Sequence, residues 1–215
     1  MPSAAHPHAG QPVLRRGPAA AQARLAVILV HGRGDSASGI LGLADGFDAP
    51  DVTWIAPQAA GQAWYPYSFL APMESNEPAL TSGLQAIGEL VGLLESEGIP
   101  AHRLVLMGFS QGACLAQEFA ARHARRYHAV VGLSGGLIGP PGTTREYAGS
   151  FDGTPVFLGC SDVDPHIPAG RVHESAAVFT RMGAQVDTRI YPRMGHTVNA
   201  DEIEVVGGLL SREAA

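Results

Sequence analysis

The stretch Leu104-Val105-Leu106-Met107-Gly108-Phe109-Ser110-Gln111-Gly112 runs from four consecutive apolar residues into a serine set between two glycines. Successive strand residues point to opposite faces, so an unbroken apolar run suits a strand covered on both sides. After Gly112 the apolar residues take up helical spacing. A strand that turns directly into a helix at G-x-S-x-G lifts the serine hydroxyl off the end of a sheet. Both glycines are required there, because the backbone doubles back and bulkier neighbours would clash. The same turn leaves the Gln111 N–H at a helix start, aimed where an oxyanion would form.

Apolar runs of the same character at 25–30, 52–55, 103–107, 129–133, 155–159 and 186–191 predict six strands. Helical spacing predicts helices over 77–97, 111–123 and 169–182, and a last one near 201–210. The first of these carries Leu80, Leu84, Ile87, Val91 and Leu94 three or four residues apart and is closed by Gly98 and Pro100. Asn199 with Glu202 three residues on resembles a capping box. Alternating strands and helices imply an α/β fold with a mainly parallel sheet covered on both faces, since parallel neighbours need crossover connections. In such sheets the chemistry gathers at the carboxyl ends of the strands.

A free serine hydroxyl is a weak nucleophile and needs a base. Nine histidines compete for that role. His102 precedes its strand, and His123 and His128 flank a helix-to-strand connection, all at the opposite edge of the sheet. His166 and His173 lie close to the candidate acid. His196, in Met194-Gly195-His196, follows the last strand and precedes the last helix; the order Ser, Asp, His is the one associated with this serine turn. The acid falls after 155–159, in Cys160-Ser161-Asp162-Val163-Asp164-Pro165, where spacing leaves Asp162 and Asp164 both open. After the first strand, His31-Gly32-Arg33-Gly34-Asp35-Ser36 has neither a phosphate-loop lysine nor full dinucleotide-loop spacing. It reads instead as the second half of an oxyanion hole, with the Arg33 backbone N–H beside that of Gln111.

Composition excludes several alternatives. At 215 residues and 46% hydrophobic side chains, the chain can bury one core, expected over residues 25–215. Residues 1–24, rich in Ala, Pro, Gly and His, read as a flexible arm in which His6 and His8 are incidental. A formal charge of -6 argues against a nucleic-acid partner. All 14 basic residues are Arg, so Schiff-base and pyridoxal-type lysine chemistry are absent. Arg122, Arg125 and Arg126 read as a solvated cluster at a helix end. Two cysteines, Cys114 and Cys160, have no metal-ligand spacing and point to a reducing, cytoplasmic setting. No metal and no cofactor are expected, and no apolar run approaches the roughly 20 residues of a membrane span.

With these residues in place, the chain resembles the phospholipase/carboxylesterase family of α/β-hydrolases, which includes acyl-protein thioesterases and small bacterial carboxylesterases. The resemblance covers about residues 25–210 and rests on HGRGDS at 31–36, GFSQG at 108–112, SGG at 134–136, DPHIP at 164–168 and MGH at 194–196. It implies an α/β-hydrolase fold, no separate cap domain and a Ser110, Asp164, His196 triad. The choice of Asp164 comes from the family's Asp, two residues, small apolar residue, Pro pattern, and it leaves Asp162 as a neighbour or loop-capping residue. Where the eukaryotic thioesterases have Leu, this chain has Arg33, as a bacterial subgroup does. That leaves two uses for the side chain: binding a substrate carboxylate or phosphate, or pairing with a nearby acid.

Two loops are expected to wall the acyl site. Residues 56–75 carry Trp64, Tyr65, Tyr67, Phe69, Leu70 and Met73, about half of which should pack beneath the loop, with Trp64 and Tyr65 the candidates for the groove. The Gly- and Pro-rich residues 135–153 are expected to bring Leu137 and Ile138 near the acyl group. The implied activity is hydrolysis of a small ester or acyl substrate, with thioester or lysophospholipid cleavage as alternatives using the same residues. A non-catalytic interaction protein on a hydrolase scaffold is the reading from another class; it calls for a broken triad, and none is broken. Exposed apolar surface near the aromatic loop suits a homodimer contact equally well.

Overall fold

The six apolar runs form the parallel part of a seven-stranded sheet in a computed structural model that describes residues 6–213. The strands are β1 (Val13–Arg16), β2 (Leu25–Val30), β3 (Val52–Pro57), β4 (Leu104–Phe109), β5 (Ala129–Leu133), β6 (Pro155–Ser161) and β7 (Gln185–Tyr191). Their order across the sheet is β1-β3-β2-β4-β5-β6-β7, with β1 alone antiparallel to its neighbour. The α-helices are α1 (Ala37–Leu41), α2 (Ala79–Ser96), α3 (Gln111–Arg122), α4 (Ala169–Arg181) and α5 (Ala200–Leu210).

Two-residue alternation in the buried strands builds a core on each face. From β2, Ala26, Ile28 and Val30 join α2, α3 and α4 through Leu80, Leu115 and Phe179. From the same strand, Leu25, Val27 and Leu29 join α1 and α5 through Ile40 and Leu209. Among the described residues, no helix is long and apolar enough to cross a membrane.

The stretch expected to be a flexible arm is packed from residue 6 onward, while residues 1–5 lie outside the described residues. β1 pairs with β3 from Val13 opposite Pro57 to Arg16 opposite Trp54. All four of its residues are exposed, so burial gives it no apolar signature. It is held by the backbone ladder and by side-chain pairs: Arg15 with Glu97 at 2.8 Å, and Arg16 with Asp45. His8 is buried as well.

The arginines near the end of α3 also have specific partners. Arg122 meets Glu118 at 2.8 Å, Arg125 meets Glu95 at 3.0 Å, and Arg126 donates to the Asp152 carbonyl. Glu118, 1% exposed, organises the long loop after β5, because its carboxylate also accepts from the Ile138 N–H and the Tyr147 hydroxyl and faces Arg145. Glu118→Ala would take the acceptor from the buried Ile138 N–H and from the Tyr147 hydroxyl and remove the charge facing Arg145. We expect a loss of about 3–5 kcal/mol in urea unfolding, the usual cost of breaking a buried charged pair from one side. A change below about 1 kcal/mol would mean that the loop is held by other contacts.

Candidate active site

Ser110 sits between β4 and α3 with φ 54° and ψ -121°, a backbone conformation that L residues rarely adopt and one suited to a strained turn. The flanking glycines permit it. A Cβ on Gly112 would collide with the Val30 carbonyl oxygen, and one on Gly108 with the Gly112 backbone.

The chain following two later strands, β6 and β7, converges on this hydroxyl. His196 Nε2 lies 2.8 Å from Ser110 Oγ, and His196 Nδ1 lies 2.7 Å from Asp164 Oδ2. The ring packs against Phe109, centroids 4.9 Å apart, and meets His166 edge-on at the same separation. Asp164 is fully saturated with donors: its other oxygen accepts the N–H groups of His166 at 2.8 Å and Ile167 at 3.0 Å, and the Cys160 thiol donates to Oδ2. Burial pushes its carboxyl upward, but the bonds from His196, His166 and Ile167 outweigh burial and hold it below the ordinary carboxylate value. It is therefore an anion beside the imidazole. Asp162 points elsewhere, accepting the Arg193 N–H at 2.7 Å, as a loop-capping residue does.

The two N–H groups expected to face an oxyanion, Arg33 and Gln111, have no hydrogen-bond partner among the described residues. The loop carrying Arg33 is braced by His31, which is fully buried: Nδ1 donates to the Gly32 carbonyl and Nε2 accepts the Ala59 N–H at 3.0 Å. Burial lowers the pKa of His31, consistent with the neutral tautomer these bonds require.

Among the described residues the Arg33 side chain pairs with no acid, one of the two uses left open by its sequence position. Its guanidinium donates to the carbonyls of Tyr65, Pro66 and Tyr67 at 2.8 to 3.0 Å, clamping the aromatic loop to the oxyanion loop. The Gln111 side chain does the same from below, accepting the Trp64 N–H and donating to the Tyr65 carbonyl.

A cavity of about 500 Å³ opens at Ser110 and His196, walled by Tyr65, Phe69, Cys114 and Ile167. Tyr65 takes the place expected of it. Trp64 does not: it is fully buried beneath the loop, its indole N–H donating to the His31 carbonyl. Leu137 and Ile138 are also fully buried and do not line the cavity. Their backbone turns inward, where the Leu137 N–H meets Ser175 and the carbonyls receive Arg171 and Arg145. Cys114 and Ile167 replace them as walls. Sequence position does hint at both: Cys114 lies one helical turn after Ser110, and Ile167 is the apolar residue of DPHIP. Among the described residues, no group of three or more His, Cys, Asp or Glu side chains could hold a metal ion.

Just beyond His196, Asn199 and Glu202 form the capping box of α5 in both directions. Glu202 is fully buried with one oxygen unpartnered. Burial, reinforced by the Asp201 charge and only partly offset by the Asn199 N–H, raises its carboxyl to about 7. A carboxyl whose value is raised by folding stabilises the fold while protonated, and that contribution disappears as pH rises from its ordinary 4.5 through about 7. Glu202→Gln should therefore flatten the stability profile across that window in denaturant titrations. An unchanged slope would exclude Glu202 as its source.

Compared with known proteins, the chain matches the family model described as Phospholipase/Carboxylesterase over residues 17–212. It is similar to a crystal structure of a phospholipase/carboxylesterase from Dyadobacter fermentans, with 40% identity, 94% of this chain and 97% of that one covered, and a TM-score of 0.91. It is also similar to acyl-protein thioesterase 1 of Saccharomyces cerevisiae, 26% identical over 213 residues, covering 88% of this chain and 93% of the relative. Esterase PE8, at 23% identity and a TM-score of 0.76, shares the fold.

Proposed function

Since this chain belongs to the phospholipase/carboxylesterase family of ester-bond hydrolases, we propose that it cleaves carboxylic esters through an acyl-enzyme formed on Ser110. The observation that carries this reading is the unbroken relay from Asp164 through His196 to Ser110, with links of 2.7 and 2.8 Å. His196 Nε2 takes the Ser110 proton as the hydroxyl oxygen attacks the ester carbonyl. The carbonyl oxygen, now negative, lies against the N–H groups of Arg33 and Gln111. His196 then protonates the departing alkoxide, which leaves Ser110 acylated. A water molecule, deprotonated by the same nitrogen, attacks the acyl-enzyme, and collapse returns Ser110 its proton and releases the acid. Asp164 holds Nδ1–H toward itself, so that Nε2 stays free to accept, and it stabilises the imidazolium.

A thioester would pass through the same steps, and the similarity to acyl-protein thioesterase 1 favours including it. A fluorophosphonate probe followed by peptide mass analysis tests the central claim: an adduct on Ser110 of the folded protein is expected, and its absence would sink the proposal. A panel of p-nitrophenyl esters, acyl thioesters and lysophospholipids then ranks the substrate classes by kcat/KM.

A further inference from the structure

Charge at the rim of the Ser110 cavity is one-sided. Besides the imidazoles of His166 and His196, the ionic side chains that line it are Arg33 and Asp35. Asp35 carries its carboxylate away toward α1, where a Cβ added to Gly39 would collide with Oδ1. Arg33 is exposed, and its guanidinium gives three of its five N–H donors to the carbonyls of Tyr65, Pro66 and Tyr67. Those carbonyls are neutral, so they orient the fork and leave its charge uncompensated. Two donors, Nε–H and one on Nη1, remain. His166, exposed on the loop after β6, meets His196 edge-on at 4.9 Å, and its ring makes no hydrogen bond among the described residues. Strand order sets β4, which ends at Ser110, between β2 and β6, so the loops carrying Arg33 and His166 flank the nucleophile. In a chain of net charge -6, a cation without an acid partner beside the reacting atoms gives a local field opposite in sign to the whole. That field favours an anion, and the guanidinium fork suits a carboxylate.

Resting on the ester-hydrolase reading above, we propose that Arg33 and His166 form an anion receptor at the cavity rim, and that the preferred substrates are half-esters of dicarboxylic acids, whose acyl group ends in a carboxylate. The charge belongs on the acyl side because Arg33 is fastened to Tyr65, Pro66 and Tyr67, residues of the cavity wall. Its role as a clamp and its role as a receptor are compatible. The three carbonyls hold the guanidinium in one place, so little side-chain freedom is lost when a ligand arrives. Charge also acts on the transition state. A carboxylate near the developing oxyanion opposes it, so without a cation at the rim the acidic acyl group is the poorer substrate.

The test compares esters of one shape that differ in charge: monomethyl succinate, glutarate and adipate against methyl succinamate, glutaramate and adipamate, followed by methanol release. We expect one chain length at which the wild-type enzyme prefers the acid by about tenfold or more in kcat/KM, the worth of one hydrogen bond to a charged group. Raising the ionic strength from about 0.05 to about 0.5 M should shrink that preference. Arg33→Gln removes the charge and should bring the ratio to one or below; because acid and amide are compared within one variant, any loosening of the loop cancels. His166→Gln, at an exposed position, should lower the ratio by about threefold, the share of one weaker donor. A wild-type ratio at or below one at every length, or one indifferent to salt, overturns the proposal without recourse to a variant. So does a preference that survives Arg33→Gln, and a ratio unchanged in His166→Gln strikes the imidazole from the receptor. A preference confined to charge on the alcohol, acetoxyacetate over acetoxyacetamide, overturns the acyl placement. Failure of the hydrolase reading looks different: neither member of any pair is turned over and the fluorophosphonate leaves Ser110 unmodified.

Discussion

Ser110→Ala is expected to lower kcat on p-nitrophenyl esters by roughly 10⁵ or more, the scale seen when a triad nucleophile is removed. The relay leaves no substitute. The two cysteines are buried, with thiols raised to about 12, so neither is a nucleophile in waiting. Residual rate should come only from binding and from the two free N–H groups, which in a comparable site are worth about 10³ over water. Alanine meets the same backbone requirement at φ 54° as serine, so circular dichroism and the unfolding midpoint should hardly move. Near-normal esterase activity in a variant shown to carry alanine would refute the role of Ser110.

The second large effect separates two aspartates that the sequence alone left level. Asp164→Asn should reduce kcat on the order of 10⁴. The reason lies in its donors. Oδ1 accepts two backbone N–H groups, from His166 and Ile167, so an asparagine must keep its carbonyl oxygen on that side. Its NH₂ would then face His196 Nδ1 and force the ring proton onto Nε2, the nitrogen that has to receive the serine proton. Asp162→Asn has no such consequence, because an amide oxygen can still accept the Arg193 N–H, and less than about tenfold should be lost. The reverse ranking would move the acid to Asp162.

The parts of the molecule that could be read from residues alone are those in which burial or strand position dictates the pattern. Leu25 to Val30 is apolar throughout because both faces of β2 are covered, and that requirement is visible in any single sequence. Ser110 and His196 followed from lying at strand ends, and Asp164 needed the family pattern. β1 was invisible for the opposite reason: an exposed edge strand is held by backbone bonds, which no side chain announces. The aromatic loop failed in a third way. Trp64 and Tyr65 are adjacent and similar in type, and only the His31 carbonyl waiting beneath the loop decides that the indole turns under it. Arg33 misled as a candidate partner for an acid, since its hydrogen bonds go to neutral carbonyls of a loop about thirty positions away.

One buried imidazole sets a practical boundary. His8 donates to the Trp64 carbonyl at 2.9 Å, accepts the Ala60 N–H at 3.1 Å and rests its ring 5.2 Å from the indole, acting as a splint behind the acyl wall. The match to the family model, residues 17–212, begins after it. An expression fragment cut to the limits of that match would therefore retain the relay of three side chains yet lose the His8 bonds to the Trp64 carbonyl and the Ala60 N–H. In such a fragment we expect ester cleavage at Ser110 to persist while the ranking of acyl groups by kcat/KM changes.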